Sequence, residues 1–203
     1  MHISLTRTAS LALLSMVFVL TAALPVRAGG GQVVTSTGSF SGSVISGYFD
    51  FDHADESTPA FSGTFAGKDS SFGKFTGQSV TEVTYDYLVG TCTPPSGVAG
   101  TGLPFSFVNG GGGSVVIRDD GGDLHFDTVI DFTQCLDPSS GAYSFTFTDT
   151  TTGGTGKFRG ATGTLTATGT GAILAGDAAP YPKTHFFGWD QATYTMTLTI
   201  PGH

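Results

Sequence analysis

Two short stretches, far apart along the chain, share one pattern of glycine, lysine and phenylalanine. Residues 73–77 read Gly-Lys-Phe-Thr-Gly and residues 156–160 read Gly-Lys-Phe-Arg-Gly. A threonine stands four residues after each stretch, at Thr81 and Thr164. Both stretches lie between segments in which Thr, Phe and Gly alternate, as they do in β-strands separated by tight turns. Matching turn-and-strand units at two distant positions predict an all-β chain, with the phenylalanine of each unit in the core.

Apolar and polar side chains alternate along much of the sequence, which is the period of strands that bury one face. From Tyr143 to Phe147, for example, aromatic residues alternate with Ser144 and Thr146. Residues 109–114, Asn-Gly-Gly-Gly-Gly-Ser, are predicted to form a hairpin turn instead. The predicted strands are residues 33–40, 43–51, 60–65, 80–89, 104–108, 114–118, 123–132, 143–148, 163–174 and 194–200.

Strands of this number and length form either a sandwich or a barrel. Closure into a barrel removes the unpaired edge strands that otherwise promote aggregation. We therefore predict an antiparallel closed barrel of about eight strands, formed by residues 29–203 as a single domain. Two longer connections, residues 91–102 and 176–184, are expected to be irregular.

The first 28 residues have the features of a secretory signal peptide. Arg7 ends a short cationic start, residues 11–24 are mainly apolar, and Val26 and Ala28 are the small residues that a signal peptidase recognises. The apolar run is shorter than the roughly 20 residues that a membrane-spanning helix needs. We expect cleavage after Ala28 and export to the periplasm or the medium, with an uncleaved N-terminal anchor as the alternative.

The charge of the chain disfavours several kinds of partner. Loss of residues 1–28 removes two of the eight basic side chains and none of the 16 acidic ones, so the formal charge falls from −8 to −10. An acidic protein repels the phosphates of nucleic acids and anionic lipids. We therefore expect neither a nucleic acid nor a membrane surface as a partner.

The two cysteines, Cys92 and Cys135, each lie just beyond a β-like segment. In an exported protein, two cysteines are expected to form a disulfide bond. A metal site or a cysteine nucleophile would need a histidine nearby, and the sequence shows none next to either cysteine. The sequence therefore predicts one disulfide bond and neither a metal nor a cofactor.

One of the glycine-rich stretches resembles a known family. Residues 152–163 read Thr-Gly-Gly-Thr-Gly-Lys-Phe-Arg-Gly-Ala-Thr-Gly, which resembles the Gly-Gly-Thr-Gly-x-Phe-x-x-Ala-x-Gly stretch of allene oxide cyclases and dirigent proteins. Residues 67–77 are similar to a motif of uncharacterised bacterial secreted proteins with such a barrel. The resemblance implies an eight-stranded antiparallel barrel. No catalytic or pocket residue of these families matches a position here, so it implies no site residues.

Motifs for other kinds of chemistry are weak. The spacing of Gly154, Gly156 and Gly160 suggests a dinucleotide site only superficially, because no helix follows it. No Gly-x-Ser-x-Gly nucleophile motif occurs. The acidic residues 50–56 match no calcium-binding loop, and an acidic surface loop is the simpler interpretation. Alternating threonines near residues 164–170 and 193–199 are expected to form an outward polar face.

Two functional hypotheses remain from the sequence. The first is a non-catalytic barrel that binds a small apolar or aromatic ligand, or has a structural role, because many Phe and Tyr are predicted to face inward. The second is a cyclase-like or dirigent-like enzyme that guides a reactive intermediate by shape. The polar candidates for that enzyme are His125, Asp127, Glu82 and Tyr85.

A ligand pocket is predicted at one barrel end, where aromatic residues cluster around the only tryptophan. Barrel mouths that admit small molecules combine aromatic side chains with a few polar groups. The predicted pocket residues are His185, Phe186, Phe187 and Trp189. The alternative is that Trp189 fills the barrel end as part of the core.

Overall fold

The computed structural model describes residues 30–48, 59–118, 121–127, 131–176 and 185–202. The predicted signal peptide, residues 1–28, lies outside these ranges. So do the acidic residues 50–56 and most of the irregular connection predicted at residues 176–184. No helix among the described residues has the length and hydropathy needed to cross a membrane.

Nine β-strands and one short 3₁₀ turn make up the described chain. Each strand pairs with its neighbours in antiparallel register. The strands are β1 (Gln32–Tyr48), β2 (Pro59–Asp69), β3 (Gly73–Tyr87), β4 (Leu103–Arg118), β5 (Gly122–Phe126), β6 (Asp131–Leu136), β7 (Ala142–Gly154), β8 (Thr162–Gly176) and β9 (Phe186–Ile200), and the 3₁₀ turn spans Gly156–Phe158.

The sheet closes on itself because β1 pairs with both β2 and β9. The short strands β5 and β6 share one position in the wall between β4 and β7. β6 pairs with β4 from Leu103 to Ser106, and β5 pairs with it from Ser114 to Arg118. Nine strands therefore fill eight positions, and the predicted all-β, antiparallel closed barrel of about eight strands is confirmed.

The predicted hairpin turn at residues 109–114 is wrong. These residues lie inside β4, where Gly111, Gly112 and Gly113 pair with residues 80–82 of β3. A glycine lacks a side chain but keeps its backbone N–H and C=O, so a complete partner strand can hold a glycine run in the ladder. For the same reason the two strands predicted at residues 33–40 and 43–51 form the single strand β1, which continues through Gly42.

One end of the barrel is closed by the second of the two repeated stretches. The 3₁₀ turn places Phe158 in the core with no exposed surface, and its ring meets Phe72 edge-on with centroids 5.2 Å apart. Gly156 has φ of +54°, and a Cβ there would overlap the carbonyl oxygen of Gly121. The predicted burial of the phenylalanine in each repeat is confirmed, since Phe75 is also buried. We call this end, with the β2–β3, β4–β5 and β7–β8 connections, the closed end.

The opposite end carries the β1–β2, β3–β4, β6–β7 and β8–β9 connections, and we call it the open end. The β3–β4 connection is irregular, as the sequence predicts, apart from one bridge between Cys92 and Gly102. The structure joins Cys92 to Cys135 at the end of β6, with the two sulfur atoms 2.02 Å apart. The disulfide therefore ties this long connection to the barrel wall.

Candidate functional site

The barrel interior contains a cavity of about 210 Å³. Nine of its lining residues are phenylalanines, and they come from seven different strands. An apolar protein cavity of about 150 Å³ is large enough to bind benzene. The interior is therefore hollow, with room for one small aromatic molecule.

The cavity has one flat aromatic wall. Phe145 and Phe147 follow each other on the inner face of β7, and their rings stack with centroids 6.1 Å apart and planes 15° apart. Phe132 on β6 stacks on Phe145 with centroids 5.9 Å apart. The strand period of two aligns these rings, because every second residue of β7 faces the interior.

The other side of the cavity is lined partly by small residues, which is why it is hollow. Gly42 and Gly63 line the cavity on β1 and β2, and Ser79 and Ser114 face each other across β3 and β4. None of these side chains is long enough to reach the aromatic wall. A bulky residue in place of Ser79 or Ser114 would occupy space that is now part of the cavity.

A carboxyl group and a phenol meet on the cavity wall toward the open end. Tyr143 Oη donates a hydrogen bond to Asp190 Oδ1 across β8. The strand between them carries Gly171, where a Cβ would overlap both the tyrosine ring and the carboxyl oxygen. Burial raises the pKa of Asp190 from its ordinary 3.8 to about 6, and the hydrogen bond from Tyr143 opposes that rise.

A second carboxyl group lies deeper in the cavity. Asp149 is on the inner face of β7, opposite Leu165, and is 5% exposed. It is six residues from Tyr143, which corresponds to about 20 Å between Cα atoms along an extended strand. Burial raises the pKa of Asp149 from 3.8 to about 7, the negative charge of Asp127 adds to the rise, and the backbone N–H of Thr150 opposes it.

Among the described residues, only one oxygen of Asp149 has a hydrogen-bond partner. Its Oδ1 accepts the N–H of Thr150 at 2.9 Å. In the part of the chain that the structure describes, no group donates a hydrogen bond to its Oδ2. Two residues further along β7, the buried Thr151 Oγ1 also has no hydrogen-bond partner among the described residues. The deep end of the cavity therefore has an acceptor without a described partner, and an unpaired hydroxyl lies just beyond the residues that line the cavity.

The predicted pocket residues separate onto the two faces of β9. Phe186 lines the cavity, and its ring packs against Phe61 with centroids 5.5 Å apart. Phe187 and Trp189 are 44% and 37% exposed and do not line the cavity. His185, just before β9, is exposed and does not line it either. The structure thus brings only Phe186 of these four residues to the cavity.

The polar residues proposed for an enzyme lie outside the cavity where the structure describes them. His125 and Glu82 are not among its lining residues, although Glu82 is buried. Asp127 is exposed and does not line the cavity, but its charge raises the pKa of Asp149. The side chain of Tyr85 lies outside the described part of the structure.

Sequence reasoning missed Asp149, Asp190 and the role of Tyr143. The signal was present in the alternation that predicted β7, because Asp149 is the next inward position after Phe147. Likewise, continuing the alternation of β9 backward from Tyr194 through Ala192 reaches Asp190. An acidic residue on an otherwise apolar strand face is the pattern that identifies both.

The described residues do not form a metal site, since no group of three or more His, Cys, Asp or Glu among them is close enough to hold an ion. No protein-family model and no curated protein sequence matches the chain. Among solved structures, the chain is similar to an acetoacetate decarboxylase-like enzyme from Sphingomonas wittichii RW1, with 9% identity over 83% of this chain and 92% of that one. The TM-score is 0.22, which supports no conclusion about function.

Proposed function

We propose that this protein binds one small apolar or aromatic molecule inside its barrel. The observation that carries the proposal is the cavity of about 210 Å³ behind a wall of stacked phenylalanines. Ligand sites in proteins are concave and mostly apolar, with a few polar groups that fix orientation. Here Asp149 and the Tyr143–Asp190 pair are those polar groups.

The proposal is tested by filling the cavity and measuring the binding of a probe. Naphthalene is titrated into the protein and its affinity measured. Ser114→Phe introduces a ring into the cavity, whereas Ser41→Phe makes the same change at an exposed position of β1. We expect naphthalene to bind the wild type and Ser41→Phe, and to lose its affinity for Ser114→Phe. Equal affinity for all three proteins, or no binding to the wild type, would contradict the proposal.

A second candidate function is an enzyme related to allene oxide cyclases or dirigent proteins. Supporting it are two carboxyl groups in an apolar cavity with pKa values raised to about 7 and about 6. Such perturbed groups are typical of catalytic acids and bases. The test is to incubate the protein with small molecules extracted from its host and to follow their consumption. Consumption by the wild type but not by Asp149→Asn, with binding retained, would favour the enzyme over the binding protein.

Export is also a proposal. The N-terminal 28 residues support it, and the Cys92–Cys135 disulfide is compatible with an oxidising compartment. The mass of the protein purified from its host tests it. We expect a chain that begins at Gly29, and a chain that still begins at Met1 in the cytoplasm would contradict export. Native mass spectrometry of the same sample will also reveal any ligand that copurifies.

A further inference from the structure

We propose that the ligand is a flat aromatic molecule with one N–H or O–H donor on its edge, and that Asp149 selects it by accepting that donor. This inference rests on the proposed function, because it specifies which molecules the cavity prefers. The cavity lining contains two carboxyl groups. Each has one oxygen without a hydrogen-bond partner among the described residues, but only Asp149 lies next to a second unpaired polar atom, the hydroxyl of Thr151.

The two carboxyl groups differ in what they already bind. Asp190 Oδ1 accepts a hydrogen bond from the side chain of Tyr143, and no described group donates to its Oδ2. Asp149 accepts only the backbone N–H of Thr150, and no described group donates to its Oδ2. Buried polar atoms in proteins are nearly always hydrogen-bonded. A donor on the ligand would supply the missing bond of Asp149.

A second unpaired polar atom lies beside this carboxyl group. Thr151 faces inward two residues after Asp149, which places their Cα atoms about 7 Å apart. The threonine is 2% exposed, and its hydroxyl has no hydrogen-bond partner among the described residues. Two unpaired groups at one point of an apolar interior indicate that a polar group from outside the chain belongs there.

The surroundings of Asp149 restrict the rest of the ligand. Along β7 the next inward residue is Phe147, at the end of the stacked wall, and across β8 and β9 lie Leu165 and Met196. A donor that reaches Asp149 must therefore be attached directly to an apolar, flat body. Burial raises the pKa of this carboxyl group to about 7, so affinities are compared above that pH, where Oδ2 carries no proton and accepts a hydrogen bond.

The test uses two isomers of equal size, one with a hydrogen-bond donor and one without. 3-Methylindole keeps its ring N–H, whereas 1-methylindole has lost it. We expect the wild type to bind 3-methylindole about tenfold more tightly, a ratio that corresponds to about 1.4 kcal/mol. In Asp149→Leu the two affinities should become equal, with that for 1-methylindole unchanged within about threefold. Asp131→Leu, an exposed change on β6, should keep the tenfold preference.

The outcomes distinguish this inference from the proposed function. If the wild type binds both isomers equally, the cavity is a ligand site but Asp149 does not select the ligand. If Asp149→Leu keeps the preference, another group accepts the donor and the inference fails. If neither isomer nor naphthalene binds the wild type, the proposed function fails and the inference fails with it. Equal affinities of the wild type for the two isomers contradict the inference without any variant, and Asp149→Ala replaces Asp149→Leu if that variant does not fold.

Discussion

The two ends of the barrel are built from the same strands, but one is packed and the other surrounds a cavity. At the closed end, Phe158, Leu124 and Leu198 have no exposed surface. At the level of the cavity, Gly42, Gly63, Ser79 and Ser114 line the wall and leave the interior hollow. Small barrels either fill their interior with side chains or hold a ligand. This chain does both, and the size of the inward side chains decides which occurs at each level.

The buried carboxyl groups of the two regions also differ, in the number of hydrogen bonds that they accept from the protein. Asp69, at the β2–β3 turn, is 1% exposed and accepts four hydrogen bonds, from Ser36 Oγ, Tyr194 Oη and the backbone N–H groups of Ser71 and Phe72. Asp149 accepts one. A carboxyl group with all its hydrogen bonds made inside the protein stabilises the fold, whereas one with an unused oxygen is available to a ligand. The comparison teaches that burial alone does not identify a functional acid.

The largest effect on stability is expected from removing a buried aromatic ring at the closed end. Phe158→Ala should lower the free energy of unfolding by about 4 kcal/mol, because it removes a fully buried ring and leaves a cavity. Phe187→Ala, the same change at a residue that is 44% exposed, should cost less than about 1 kcal/mol. Urea denaturation followed by circular dichroism measures both. Similar losses for the two variants would mean that stability is not concentrated at the closed end.

The next largest loss of stability is expected at Asp69, where both carboxyl oxygens accept hydrogen bonds. Asp69→Ala leaves four donors without an acceptor and should cost about 3 kcal/mol of stability. Asp69→Asn should cost only about 1 kcal/mol, because its oxygen still accepts the backbone N–H groups and the two hydroxyls can turn to accept from the amide. Denaturation curves of the two variants provide the measurement. If alanine is tolerated as well as asparagine, the hydrogen bonds of Asp69 do not hold the turn.

Asp149 should instead make stability depend on pH. Its pKa is raised to about 7 in the folded protein and is near 3.8 when unfolded, so between these values the folded state binds more protons. Stability from this group therefore falls as pH rises, and stops falling above about pH 7. Between about pH 5.5 and pH 8 the wild type should lose about 2 kcal/mol more than Asp149→Asn.

This pH range avoids the isoelectric point near 4.7, where the protein carries little net charge. Asp190 is unchanged in Asp149→Asn, so its contribution cancels in the comparison. An equal pH dependence of the wild type and Asp149→Asn would show that Asp149 is solvated like a surface carboxyl group. The opposite sign, with the wild type gaining stability as pH rises, would contradict the raised pKa.

The sequence predicts the structural features that are set by neighbouring residues of one strand, and it fails for those that depend on contacts between strands. Alternation along β7 identified the strand and its inward face, because the period of two is set by the backbone alone. The glycine run at residues 109–114 was missed as a strand, because its place in the ladder depends on β3. The pocket prediction took Phe186, Phe187 and Trp189 together, although neighbouring residues of a strand face opposite sides. That no described group donates to Asp149 Oδ2 depends on contacts across the barrel, which no local pattern encodes.

The smallest expected effect on stability lies at the open end, where Phe186 and Phe187 provide a matched pair. Phe186→Ala removes a partly buried ring that packs on Phe61 at the cavity, and should cost about 1 kcal/mol of stability because the neighbouring residues can relax toward the open end. It should also weaken the binding of naphthalene about tenfold, since the probe loses an aromatic contact. Phe187→Ala removes a ring from the outer face and should leave naphthalene affinity unchanged. Titrations of the two variants compare the faces of β9 directly. If Phe187→Ala weakens binding as much as Phe186→Ala does, the ligand binds on the outside of the barrel end, and the cavity is not the site.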